Sequence, residues 1–141
     1  MSEQAAFETT HRVQFHETDM AGIVHFANFF RFMEVAEHEF LRSLGQEIHG
    51  SVDGQETGWP RVNATCDYRK PARLGDELRI QVFVEEVRTR SVRYRFDFFN
   101  AEELIAQGSI TAAHVVLENG SISAVAIPEE LRSQLEQAGG F

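Results

Sequence analysis

The stretch Asp19-Met20-Ala21-Gly22-Ile23-Val24-His25-Phe26-Ala27-Asn28 sets a carboxylate a few residues ahead of a segment with helical periodicity. The first turn of a helix has unpaired N–H groups and carries about half a positive charge. Such an end attracts anions and, by the same field, the oxygen of a polarised carbonyl. A carboxylate held beside it can attack that carbonyl, or take the proton of an attacking water. Gly22 lets the intervening backbone turn tightly. Together these groups make a minimal acyl-transfer site without Ser, Cys or metal. The same spacing also fits a plainer role, in which Asp19 orders its own turn by binding backbone N–H groups. Spacing alone leaves both open.

The elements that must position this loop are readable on either side of it. Residues Thr9–Phe15 alternate, with His11, Val13 and Phe15 on one side and Arg12, Gln14 and His16 on the other, which predicts a half-buried strand. From Asn28 to Leu44, Phe29, Phe32, Met33, Ala36, Phe40 and Leu44 fall at steps of three and four. This apolar stripe predicts one long helix of roughly 25 Å, stopped at Gly45. Arg31, Glu34, Glu37, His38, Glu39 and Arg42 take the other positions. Residues 46–60 read as loop, broken by Gly50, Asp53, Gly54, Gly58 and Pro60. Strand patterns follow around Val62–Tyr68, Leu78–Glu85 and Val92–Phe98, then a longer β-rich run from Ile105 to Leu117. Asn119-Gly120 is a hairpin signal leading into a short strand over Ser121–Ile127, and Pro128 opens a short helix. The first six residues and Gln137–Phe141 read as loose ends. The order lacks βαβ alternation, which disfavours a doubly wound parallel sheet. An α+β fold is expected, with an antiparallel sheet of five or six strands wrapped around one long central helix, and residues 1–141 forming a single domain.

The run Phe15-His16-Glu17-Thr18-Asp19-Met20-Ala21-Gly22-Ile23-Val24-His25-Phe26-Ala27-Asn28-Phe29-Phe30-Arg31-Phe32-Met33-Glu34 resembles the signature of the 4-hydroxybenzoyl-CoA thioesterase family of hot-dog proteins. Cys66-Asp67-Tyr68-Arg69-Lys70-Pro71-Ala72-Arg73 resembles that family's second strand and its turn. The resemblance covers about residues 8–118 and is most specific at the first motif. It implies a hot-dog acyl-CoA thioesterase in which Asp19 is the nucleophile or general base. The backbone N–H of Phe26 would donate to the thioester carbonyl, and Gly22 to His25 would shape the turn. Glu34 matches a position that carries an acid facing the acyl group in aromatic-acyl members. The family works as homodimers or homotetramers with sites at subunit interfaces. Many bacterial relatives carry Tyr-His before the Ala-Asn, where this chain has His25-Phe26, so the family's second-position His has no counterpart here. His25 is left as a water-orienting or substrate-contacting residue on one reading and an interface residue on another.

The acyl chain would then lie against Val24, Asn28 and Phe29, and Arg88 and Arg90, with Arg93 and Arg95, could meet the CoA phosphates or simply form a solvated strand face. Twelve Phe residues suit both a core and an apolar pocket. Glu34, Glu37 and His38 do not supply the paired Glu-x-x-His helices of a di-iron site, and no metal is expected. Cys66, the single cysteine, is expected as a small buried strand residue. The net charge of −9, from 22 acidic and 13 basic residues, disfavours nucleic acid as a partner. The absence of an apolar leader and of a long apolar run points to a cytoplasmic protein without a membrane partner. No cofactor is implied, because CoA is part of the substrate. Two functions remain: a thioester hydrolase, or a non-catalytic acyl-CoA or acyl-carrier-protein binding module. A hot-dog hydratase fits less well, because the motif around Asp19 and His25 differs.

Overall fold

The computed structural model describes residues 3–141; Met1 and Ser2, part of the expected loose N-terminus, lie outside the described residues. Strand β1 (Phe7–Arg12) leads through a 3₁₀ turn (Phe15–Glu17) and the Asp19 loop to helix α1 (Asn28–Ser43). Strands β2 (Ser51–Val52), β3 (Gln55–Gly58), β4 (Arg61–Tyr68), β5 (Glu77–Val87), β6 (Ser91–Asn100), β7 (Glu103–Ala113), β8 (Val115–Glu118) and β9 (Ser121–Ala124) follow, then helix α2 (Glu129–Gly139). The fold is α+β with antiparallel pairing throughout.

Helix α1 forms where its stripe can be buried. Phe29, Phe32, Met33, Ala36, Phe40 and Leu41 are buried against Leu78, Ile80, Val82, Tyr94, Phe96 and Phe98 of the sheet. Full burial of such a side chain contributes about 2 kcal/mol. The helix ends in a Schellman motif: the N–H of Gly45 donates to the Arg42 carbonyl at 2.9 Å and that of Gln46 to the Leu41 carbonyl at 3.0 Å. Gly45 sits at φ 79°, where a side chain would be strained. Close approach to the sheet is permitted at Gly108, where a Cβ would overlap the Met33 side chain and lie 3.1 Å from the Thr65 carbonyl.

The expected single sheet is two sheets. The larger has the order β1-β5-β6-β7-β4, and α1 packs against β1, β5, β4 and β7. The smaller has the order β2-β3-β8-β9. The long β-rich run divides at His114, where β8 passes from β7's partners to β3 and β9. Pro60 interrupts the facing chain between β3 and β4 at the same level, and its carbonyl accepts the Ala113 N–H at 3.0 Å. The residues expected as loop before Pro60 therefore contain β2 and β3.

Other expectations also shift. The first strand ends at Arg12, and Phe15 is 77% exposed on the 3₁₀ turn rather than in the strand. The C-terminal helix runs to Gly139, so residues 137–139 are helical, and Phe141 N–H donates to the Glu136 carbonyl at 2.9 Å. The hairpin at Asn119-Gly120 forms as its sequence predicts, with φ of 48° and 81°, but its second strand stops at Ala124. Among the described residues no helix is long and apolar enough to cross a membrane.

Candidate active site

The loop between the 3₁₀ turn and α1 is built around Glu17. Its Oε1 accepts the Gln14 N–H at 2.7 Å and lies 2.8 Å from His11 Nε2. Its main-chain carbonyl accepts the His25 N–H at 2.9 Å and the Asn28 side-chain amide at 2.8 Å. Glu17 thus ties β1, the loop and the start of α1 together. Within the loop, Asp19 N–H donates to the Ile23 carbonyl at 2.8 Å, and Gly22 N–H to the Asp19 carbonyl at 3.0 Å. Gly22 makes this turn at φ 80°. Val24, buried, donates its N–H to the Ala72 carbonyl at 2.8 Å, stapling the loop to the segment after β4.

Asp19 and Phe26 border one groove of about 390 Å³, with Ile23, Val24, Phe29 and residues 68–72 completing its lining. One oxygen of Asp19, Oδ1, accepts the Ala21 N–H at 2.8 Å and the Ile23 N–H at 3.4 Å. The other oxygen has no hydrogen-bond partner among the described residues. The first N–H groups of α1 are not free: Asn28, Phe29 and Phe30 donate to the carbonyls of His25, Phe26 and Ala27 at 2.9, 3.3 and 3.2 Å. Ala27 N–H donates to His25 Nδ1 at 3.2 Å. The Phe26 N–H, two residues before the helix, has no acceptor among the described residues. The expected donation by the helix end is therefore narrowed to this one group, because the helix opens with tight turns that use the others. No acidic residue lies in the first turn of α1 and no side chain caps it, so its positive end is not neutralised locally.

The remaining predicted residues divide. The Asn28 side-chain nitrogen is committed to Glu17, and the His25 ring stacks on Phe26 with centroids 4.7 Å apart. Phe29 is buried and meets Tyr68 and Phe98 edge-to-face at 5.3 and 5.2 Å. Glu34 does not line the groove; it faces a separate cavity of about 220 Å³ with Arg61, Trp59 and His38. Arg88 and Arg90 lie at the β5–β6 hairpin, next to the Val87–Val92–Ala112–Arg61 rungs, whereas the groove adjoins the Ile80–Phe98–Ala106–Tyr68 rungs. Seven residues of strand, about 23 Å, separate the two levels. Within one chain these arginines do not join Asp19. Arg88 pairs with Glu86 at 3.0 Å, and Arg95 is held by Glu3, Glu85 and Asp97.

The cations that do line the groove are Arg69 and Lys70. Their adjacency after a strand is visible in the sequence, but only the pairing of β4 with β7 places them there. Cys66 is half-buried rather than buried, because β4 is a sheet edge. Burial pushes its thiol up to about 11, which keeps it protonated and poorly nucleophilic. Glu37, one of the residues that invites a metal reading, is 2% exposed and forms a two-pronged ion pair with Arg61.

Comparison with known proteins agrees with this architecture. The chain belongs to the Thioesterase-like superfamily, whose profile matches residues 13–135, and its fold is the hot-dog fold of that class of enzymes. An Aquifex aeolicus protein provisionally named an esterase is 37% identical over 89% of this chain and 94% of its own. The 1,4-dihydroxy-2-naphthoyl-CoA hydrolase of Nostoc punctiforme is 28% identical over 93% of this chain and 87% of its own. Among solved structures, a gentisyl-coenzyme A thioesterase is 29% identical, covers 89% of this chain and 99% of its own, and superposes with a TM-score of 0.78.

Proposed function

We propose that the chain hydrolyses an acyl-CoA thioester to the free acid and CoA in the groove beside Asp19. The carrying observation is that a carboxylate with one uncommitted oxygen and a main-chain N–H without an acceptor border the same space. Asp19 attacks the thioester carbonyl, or deprotonates the water that does, and Phe26 N–H takes the developing oxyanion. The Asp19–Asn28 motif supports a place near the 4-hydroxybenzoyl-CoA thioesterases within the superfamily. The aromatic edges of Phe29 and Tyr68 favour a planar acyl group. Relatives named for dihydroxynaphthoyl-CoA and gentisyl-CoA support the same preference. Arg69 and Lys70, rather than Arg88 and Arg90 of the same chain, then meet the CoA phosphates. The reaction needs no cofactor, and one domain carries it.

A homodimer fits this reading. Strand β4 is an edge with mostly exposed side chains, among them Val62 at 63%. Such an edge is a template for pairing with another copy. Antiparallel pairing of two β4 strands would set the Arg61 end of one copy beside the Tyr68 end of the other. Glu34 of one copy would then face the groove of the other.

One observation favours the binding-module reading: Asp19 Oδ1 already serves the loop's own N–H groups. Thiol release across a panel of aromatic and aliphatic acyl-CoAs separates the two. Release that falls by two or more decades in Asp19→Asn, with folding intact, supports the hydrolase. Tight binding without release, or equal release by the variant, removes it.

A further inference from the structure

Two links tie the groove's walls together. At one end the link is main-chain, from Val24 N–H to the Ala72 carbonyl, extended by the bridge of Ile23 to Arg73. At the other end it is a single side chain: the Tyr68 hydroxyl donates to the Phe26 carbonyl at 3.0 Å across 42 residues of sequence. The N–H of Phe26 itself has no acceptor among the described residues. Among the described residues its carbonyl otherwise accepts only the longer bond from Phe29 N–H, at 3.3 Å. The residue is 62% exposed, so beyond its stack on His25 packing does little to hold it.

We infer that Tyr68 is a positioning residue for the hydrolysis proposed above: its hydroxyl latches the Phe26 main chain so that the adjacent N–H stays aimed at the thioester oxygen. The inference rests on that reading of the site. Oxyanion donors act by being oriented before charge develops, so a donor free to swing loses much of its effect. The Tyr68 ring is held in turn by its edge-to-face contact with Phe29, itself anchored on Phe98. The latch therefore runs from the helix core through one aromatic side chain to the carbonyl of Phe26, one Cα away from the N–H that would bind the oxyanion. Burial, with Cys66 close by, pushes the Tyr68 phenol up to about 12. The ordinary value of 10 would also keep it protonated, so the hydroxyl donates throughout the neutral range.

Tyr68→Phe keeps the ring and removes only the hydroxyl. The expected result is a fall of about tenfold in kcat with KM within twofold, an unchanged melting temperature, and a shifted or broadened Phe26 amide signal in ¹H–¹⁵N spectra while sheet amides stay in place. Tyr68→Ala should also raise KM, because the groove loses a wall. Unchanged kcat in Tyr68→Phe, or a Phe26 amide that does not respond, overturns the latch. Asp19→Asn, assayed in parallel, reports on the underlying reading. If Asp19→Asn retains full turnover, the hydrolase assignment fails, whereas full turnover in Tyr68→Phe alone removes only the positioning role.

Discussion

Two regions along helix α1 treat their polar groups in opposite ways. Near its middle, Glu37 is buried and Arg61 meets it with two nitrogens, the second contact at 2.9 Å; Arg61 also reaches Glu34 at 3.4 Å. Ahead of its first turn, Asp19 keeps an oxygen and Phe26 an N–H that are unpaired among the described residues, beside an open groove. Buried polar groups are normally satisfied, because an unmet donor or acceptor costs about 1–3 kcal/mol. Charge that is fully answered inside the chain holds the chain together. Capacity left unanswered at a cleft is available to something from outside.

Breaking each region should therefore give opposite signatures. Asp19→Asn is expected to lower kcat/KM by about 10²–10⁴-fold with the melting temperature nearly unchanged, measured by thiol release and calorimetry. Glu37→Ala should do the reverse, since it strands Arg61 beside the core. A loss of about 2–3 kcal/mol, or on the order of 10 °C in melting temperature, is expected, while the folded fraction keeps its turnover within about threefold. The figure sits below that for a fully buried pair because Arg61 is 25% exposed. Gly108→Ala tests the scaffold between the two regions. Pushing Met33 away should cost about 1–3 kcal/mol in denaturant unfolding with little change in KM.

The smallest effect is expected at His114, whose burial lowers its pKa from the ordinary 6.5. The unfolded chain then binds more protons than the folded one below about pH 6.5, so stability falls as pH drops through that point and is unaffected by this group above it. In His114→Gln, the decline of melting temperature between pH 6.5 and 5 should be shallower than in the parent. Parallel slopes would show that another group drives it.

The helix and its stop were legible because the signals are local: a stripe at steps of three and four, then Gly45. The hairpin at Asn119-Gly120 was legible for the same reason. So was the closeness of Asp19 to Phe26, which share one short loop. What escaped depends on partners far along the chain. Glu37 reads only as an acid off the apolar stripe until Arg61, 24 residues away, is folded against it. Arg88 and Arg90 read as candidates for the CoA phosphates, and Arg69 and Lys70 do not, until strand pairing assigns the two pairs to opposite levels of the sheet. The second sheet was hidden because β2 and β3 are short and rich in turn residues, and only their pairing with β8 makes them strands.

The Tyr68 hydrogen bond spans 42 residues, and the Ala72 staple lies just beyond it. The hydrogen bonds within helix α1 are local, but the groove cannot close until β4 has docked. In refolding experiments, recovery of turnover should lag the recovery of helical circular dichroism. Helix content alone will overstate how much of a sample is competent.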